Sequence, residues 1–207
     1  MRKPQSMKAL EELGRVRLSP NFFFRDFLHS EISQFYSIPN IPDDPDLAIA
    51  AGTRLCEDVL EPLMARLGRI SIRSAFRSAA VNDFGNRNKL NCGRNETNYA
   101  SHIWDRRDAE GRMGATACII VHALIPYYQR TGRWESVAWW VHDHLPYNYL
   151  EFFPKFAAFN VNWREWREPG IYSYIPPRRG WLTRQGMKSF AGSHEDQYAE
   201  WLGSLSS

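Results

Sequence analysis

Cysteine is scarce in this chain: Cys56, Cys92 and Cys118 are the three in 207 residues, an odd number without C-x-x-C spacing. That pattern argues against a disulfide scaffold and against a zinc ribbon. Long apolar runs are missing too. None approaches the ~18 residues needed to cross a bilayer, so no membrane partner is expected. The opening MRKPQSMKALEELGRVRLSP has basic residues but lacks the apolar stretch of roughly 7–15 residues that an export signal requires, which points to a cytoplasmic start. Charge of one sign is in only slight excess, a formal +3, and the basic residues are scattered apart from pairs such as Arg106-Arg107 and Arg178-Arg179. Without a basic stripe or a recognisable module, nucleic acid is not an expected partner. There is no internal repeat and no low-complexity tract.

What is present suits one globular domain with a sizeable core: 43% hydrophobic residues, 24% charged, and 14% aromatic, including eight Trp and nine Tyr. Such aromatics fill cores or line grooves. Residues 1–17 read as a polar lead-in of one or two helical turns, and residues 18–207 as the domain. In NFFFRDFLHSEISQFYSI, Phe23, Phe27 and Leu28 can share a helical face. Apolar positions from Leu47 to Leu67 keep helical spacing, with a kink or break expected at Pro62. Arg69 to Phe76 alternates with period two and predicts a strand. Residues 82–100, rich in Asn and Gly, predict an irregular loop. Strands are expected at 117–121, 147–153 and 157–163, the last two as an antiparallel pair, and helices at 134–145 and 195–202. Helices first and strands later give an α+β class with an antiparallel sheet flanked by helices, the 47–67 helix covering one face.

Several segments together resemble the zinc D-alanyl-D-alanine peptidases, peptidase family M15. LSPNFFFRDFLHSE is similar to an opening found in one branch, and LCEDVLEPLMARLGR to the helix before the first strand. ISIRSAFRSAAVN resembles the family's strand and turn, with Ala75 and Phe76 where Gly and Tyr are usual. Ser101-His102 resembles the Ser-x-His element bearing the first zinc ligand, with Ser one place closer. LPYNYLEFF and AFNVNW resemble two later strands, so the likeness runs over residues 18–163. It implies a hedgehog/DD-peptidase-like fold and a cleft for a peptide or cell-wall fragment. It also implies a zinc ion held by His, Asp and His, since three protein ligands leave an open position for an acidified water. Arg77 matches the family arginine that holds substrate or steadies negative charge.

The match fails at most of the metal positions. The Asp position falls on Ala109, or on Cys118 if WDRRDAEGRMG is an insertion. The second His falls on Asn160, and the general-base carboxylate on Phe153 or Ala157. His102 and Arg77 remain, with Ser101 beside them as a substrate-side residue. No cofactor is therefore expected, although a rebuilt zinc site from His102, Cys118 and Asp105 or Asp108 is an alternative. His102, Cys118 and Asn160 are also the residue types of a thiol hydrolase. Each has a plainer reading: His102 as a hydrogen-bonded structural residue, Cys118 as a small buried hydrophobe, and Asp105 and Asp108 as partners of Arg106, Arg107 and Arg112. His142-Asp143-His144 reads as a helix end rather than a metal cluster, because neighbours on a helix point apart. The functional expectation is a degenerate peptidase-type domain that binds a peptide or small anionic ligand, for instance in a phage or prophage particle or as a product released with phage. An active hydrolase is the alternative. Nothing in the sequence sets an oligomeric state.

Overall fold

The helical spacing between Leu47 and Leu67 belongs to the longest helical run in the computed structural model, which describes residues 1–205. Before it, the lead-in folds onto the domain. Helix α1 (Met7–Gly14) buries Leu13, and the short strands β1 (Arg17–Ser19) and β2 (Phe22–Phe23) form a two-stranded ribbon. The Phe-rich stretch is not the regular helix that its spacing suggests. Asp26 accepts a hydrogen bond from the Phe23 backbone at 2.8 Å and opens a 3-10 turn, Phe24–Phe27, which buries Phe24 and Phe27 while Phe23 stays exposed. Helix α2 (Glu31–Tyr36) follows.

The long run comprises α3 (Pro45–Leu55), a π-helical turn at Cys56–Leu60 and α4 (Glu61–Leu67). Asp44 caps its start by accepting from the Leu47 backbone N–H at 3.1 Å. Pro62 has no N–H to give back, and the ladder widens into the π-turn just ahead of it instead of breaking. Strand β3 (Ile70–Ser74) comes next. The expected 82–100 loop is instead two helices, α5 (Ala79–Arg87) and α6 (Asn95–Asn98), with a short connection between them. Ser78 Oγ caps α5 at 3.3 Å, and Val81, Asn82 and Gly85 form its buried side. The asparagines that suggested a loop act as braces: Asn82 donates to the Gly93 carbonyl at 3.0 Å and Asn86 to the Cys92 carbonyl at 2.8 Å.

Strand β4 (Gly114–Val121) crosses the domain, then α7 (Ile125–Thr131) and α8 (Glu135–His144). Strands β5 (Tyr149–Phe152) and β6 (Phe159–Arg164) pair antiparallel, as their sequence predicts. Strands β7 (Gly170–Ser173) and β8 (Gly180–Arg184) and helix α9 (Glu195–Gly203) complete the chain. The order in the large sheet is β3-β4-β6-β5-β7-β8. The expectation of an antiparallel sheet is corrected at one place: β5 and β7 run parallel, because residues 153–169 carry the chain through β6 and back to the far edge of β5. The class is α+β.

One face of this sheet is the core. Ala115, Ala117 and Ile119 of β4, Val161 and Trp163 of β6, and Leu150 and Phe152 of β5 are buried, with α3 packed on β4 and β6 and the buried side of α8 in the same core. Trp134 lies 4.7 Å from the Phe152 ring. The alternate residues of the same strands form the opposite face.

Candidate functional site

The opposite face is polar and open. Period-two alternation sends Thr116 and Cys118, Asn160 and Asn162, and Tyr149 and Glu151 to that side while their neighbours enter the core. The strand register sets Ser74, Cys118, Asn160, Glu151, Tyr172 and Trp181 in one row across all six strands. Two hollows of about 780 and 430 Å³ lie over this row, and both are lined by Asn98, His102, Glu151 and Asn160. Together they make a cleft along the sheet.

The loop carrying Ser101-His102 is pinned at several points. Trp104 is fully buried among Phe24, Phe27 and Phe76, and its indole N–H donates to the Thr116 carbonyl at 3.2 Å. The Thr116 backbone donates to the Ser101 carbonyl at 3.0 Å, and Ser101 Oγ lies 3.0 Å from Thr116 Oγ1. Ala100, immediately before, has φ 52°, a left-handed conformation that costs a non-glycine residue energy. Hydrogen bonds from Asn162 and Arg164 to its carbonyl hold it there.

His102 Nδ1 lies 2.8 Å from the Ala75 carbonyl. A carbonyl can only accept, so Nδ1 carries the proton and Nε2 keeps a lone pair. Burial first, and the nearby Arg77 charge second, lower the imidazole pKa to about 3. His102 is therefore neutral at physiological pH.

Arg77 follows β3 and lines the same hollow. Its backbone N–H donates to the His102 carbonyl at 2.8 Å, and its Nη1 donates to Cys92 Sγ at 2.7 Å. Among the described residues no carboxylate forms an ion pair with it. Burial lowers its pKa, but a guanidinium stays charged in water's pH range, so a desolvated cation faces the cleft with only a thiol as side-chain partner.

Cys118 and Asn160 also line this hollow, facing each other across β4 and β6. The three residue types of a thiol triad thus share one cleft with Arg77. They are not linked as a triad. Burial raises the Cys118 thiol to about 11, leaving it protonated at neutral pH. The Asn160 amide donates to Glu151 Oε2 at 2.9 Å, whereas His102 Nδ1 is committed to Ala75.

Asp105 and Asp108, the candidate ligands of a rebuilt zinc site, line neither hollow. Asp105 Oδ2 accepts from the Asp43 backbone at 2.6 Å. Asp108 is clamped by Arg112, whose Nε donates at 2.9 Å, and by the Arg112 and Glu110 backbones. Among the described residues no three His, Cys, Asp or Glu side chains are spaced to share an ion. The donors at the family's metal positions are a neutral imidazole, a protonated thiol and an amide already bonded to Glu151. This set does not fit a hydrolytic zinc held by His, Asp and His.

Glu151 is the cleft residue that sequence comparison missed. It lies two places before Phe153, one of the expected general-base positions, so the strand period puts both on the same face. Its signal was present in the alternation of Tyr149, Glu151 and Phe153. Cys92 gave no such signal, since its contact with Arg77 depends on how α5 folds back.

The chain matches no family model, and comparison with curated proteins and with solved structures likewise finds no match.

Proposed function

We propose that this chain is a binding domain on the plan of the D-alanyl-D-alanine peptidases, with a hedgehog/DD-peptidase-like sheet, in which the cleft is kept and the hydrolytic zinc site is lost. Its ligand is a peptide ending in a carboxylate, of cell-wall type, or a small anion of similar shape. The observation that carries this reading is Arg77: a desolvated guanidinium on the cleft wall with no ion-paired carboxylate among the described residues. Burying a cation without a counter-charge costs energy, and an incoming carboxylate would supply the missing charge through two parallel N–H···O bonds. His102 Nε2, Ser101 and Asn160 supply further polar contacts along the same wall. A wall-recognition role in a phage or prophage particle is compatible with this cleft.

Two features support binding over hydrolysis. The Cys118 thiol is held in its unreactive protonated form, and Phe153 and Ala157 at the expected base positions cannot move a proton. Glu151 favours a second reading, an active hydrolase, because it places a carboxylate in the cleft near His102. Incubation with an acyl-D-Ala-D-Ala peptide, with and without added zinc, followed by mass spectrometry, separates the two. The binding reading predicts peptide recovered intact in both samples. Release of D-alanine, abolished in Glu151→Gln or His102→Ala, would establish the hydrolase instead.

A further inference from the structure

The arginine end of the cleft does not account for its other end, where the open sheet face turns aromatic. Trp181 on β8 lies with its ring centroid 5.5 Å from Tyr172 on β7 and 6.0 Å from Tyr149 on β5. Tyr172 in turn meets Tyr174 at 5.1 Å. Trp181 is 42% exposed, Tyr174 43%, and Trp166, on the rim of the smaller hollow, 62%. These large rings, at the wet end of the cleft, have no part in the core.

Gly170 explains how the shelf is set. A Cβ at Gly170 would lie 2.9 Å from Trp181 Cζ3, so the indole rests directly against the β7 backbone, and any larger residue would lift it. The polar fittings are equally specific. The hydroxyls of Tyr149 and Tyr172 and the indole N–H groups of Trp166 and Trp181 have no hydrogen-bond partners among the described residues. Glu151 stands in register beside Tyr172. A purely apolar partner would leave those groups unsatisfied.

We infer that this shelf binds a β-linked oligosaccharide, so that the cleft as a whole takes a ligand with a sugar chain at one end and a carboxylate-bearing peptide at the other. The inference rests on the reading of the open sheet face as a ligand cleft. An equatorially substituted sugar ring offers a flat side of weakly positive C–H groups, which suits the negative face of an aromatic ring. Its rim of hydroxyls needs donors and acceptors around that face, and Glu151 and the free tyrosine and indole groups provide them. Nucleic acid would also stack on these rings, but the Glu151 and Glu168 carboxylates in the hollow repel phosphates. The arginines here are already engaged, Arg112 by Asp108, Arg164 by Asp108 and the carbonyls of Tyr99 and Ala100, and Arg184 by the Trp181 ring itself, 4.9 Å from its centroid.

The test is calorimetric titration of the full chain with chitotetraose, the β-1,4-linked tetramer of N-acetylglucosamine, beside oligodeoxythymidine. Wild type should bind the sugar. Trp181→Ala should weaken it about five- to tenfold, Gly170→Ala should weaken it in the same direction by tilting the indole, and Trp181→Phe should recover part of the loss. Circular dichroism checks that each variant is folded. No sugar binding by wild type, equal binding by folded Trp181→Ala, or a preference for oligodeoxythymidine would overturn the inference. Titration of wild type with the D-Ala-D-Ala peptide keeps the two proposals apart. Sugar binding alone leaves the shelf standing and removes the peptide reading, whereas peptide binding alone removes the shelf.

Discussion

Cys118 shows how a residue can stand in the right place with the wrong chemistry. It faces Asn160 in the cleft that also holds His102. The strand that brings it there also buries it, and burial disfavours the thiolate, raising the pKa to about 11. Iodoacetamide at pH 7.5 should therefore modify Cys118 slowly in the folded protein, with the rate rising as pH approaches 11. Peptide mapping after timed quenching measures this. Rapid labelling at neutral pH would revive the thiol route. His102 yields a second prediction at this scale. Its pKa is lowered from 6.5 to about 3 in the fold, so between those values the unfolded chain binds the extra proton. The stability owed to neutral His102 is full above about pH 6.5 and falls as pH drops through that window. Between pH 7 and 5 the loss from this group is about 2 kcal/mol. Denaturant melts at the two pH values should show it, and His102→Asn should flatten the difference. An unchanged difference in that variant would assign the effect elsewhere.

At the scale of elements, the start of β4 sets the loop that borders the cleft. Gly114 packs so closely on the preceding loop that a Cβ would come within 2.3 Å of the Ala100 carbonyl oxygen and 2.8 Å of the Trp163 carbonyl oxygen. Both are backbone atoms, so neither can swing away. Gly114→Ala should cost about 1–3 kcal/mol in thermal or denaturant melts and displace the Ser101-His102 loop. A variant as stable as wild type would show that the loop yields freely. The sequence made β3, β4, β5, β6 and the 45–67 helical run legible because their apolar periodicity is local. It misread α5 because an Asn-rich composition signals turns only where the amides serve their own backbone, whereas Asn82 and Asn86 reach across to residues 92–95. It left β7 and β8 unseen because Gly170 and Gly180 blur the strand pattern, and with them the aromatic shelf. Trp104 looked like part of an insertion, although its ring anchors the His102 loop in the core. Such roles depend on tertiary neighbours, which no window of sequence contains.

At the scale of the whole molecule, one sheet divides two tasks. Its apolar face is covered by α3 and shares one core with α8, and α9 packs on α8 and is tied to it through His194 and Asp143 at 2.7 Å. Its polar face is left open, and among the described residues no helix is long and apolar enough to cross a membrane. Arg77 lines one end of the cleft on that face, and on the proposed reading a ligand carboxylate pairs with it there. Calorimetric titration of an acyl-D-Ala-D-Ala peptide into wild type, Arg77→Ala and Arg77→Lys tests this most directly. Ala should weaken binding by about 1.5–3 kcal/mol, the range for a hydrogen bond to a charged group. Lys should recover only part of that, for want of the planar fork. A folded Arg77→Ala protein that binds the peptide as well as wild type, with only its melting temperature lowered, would make Arg77 a structural clamp and contradict the claim.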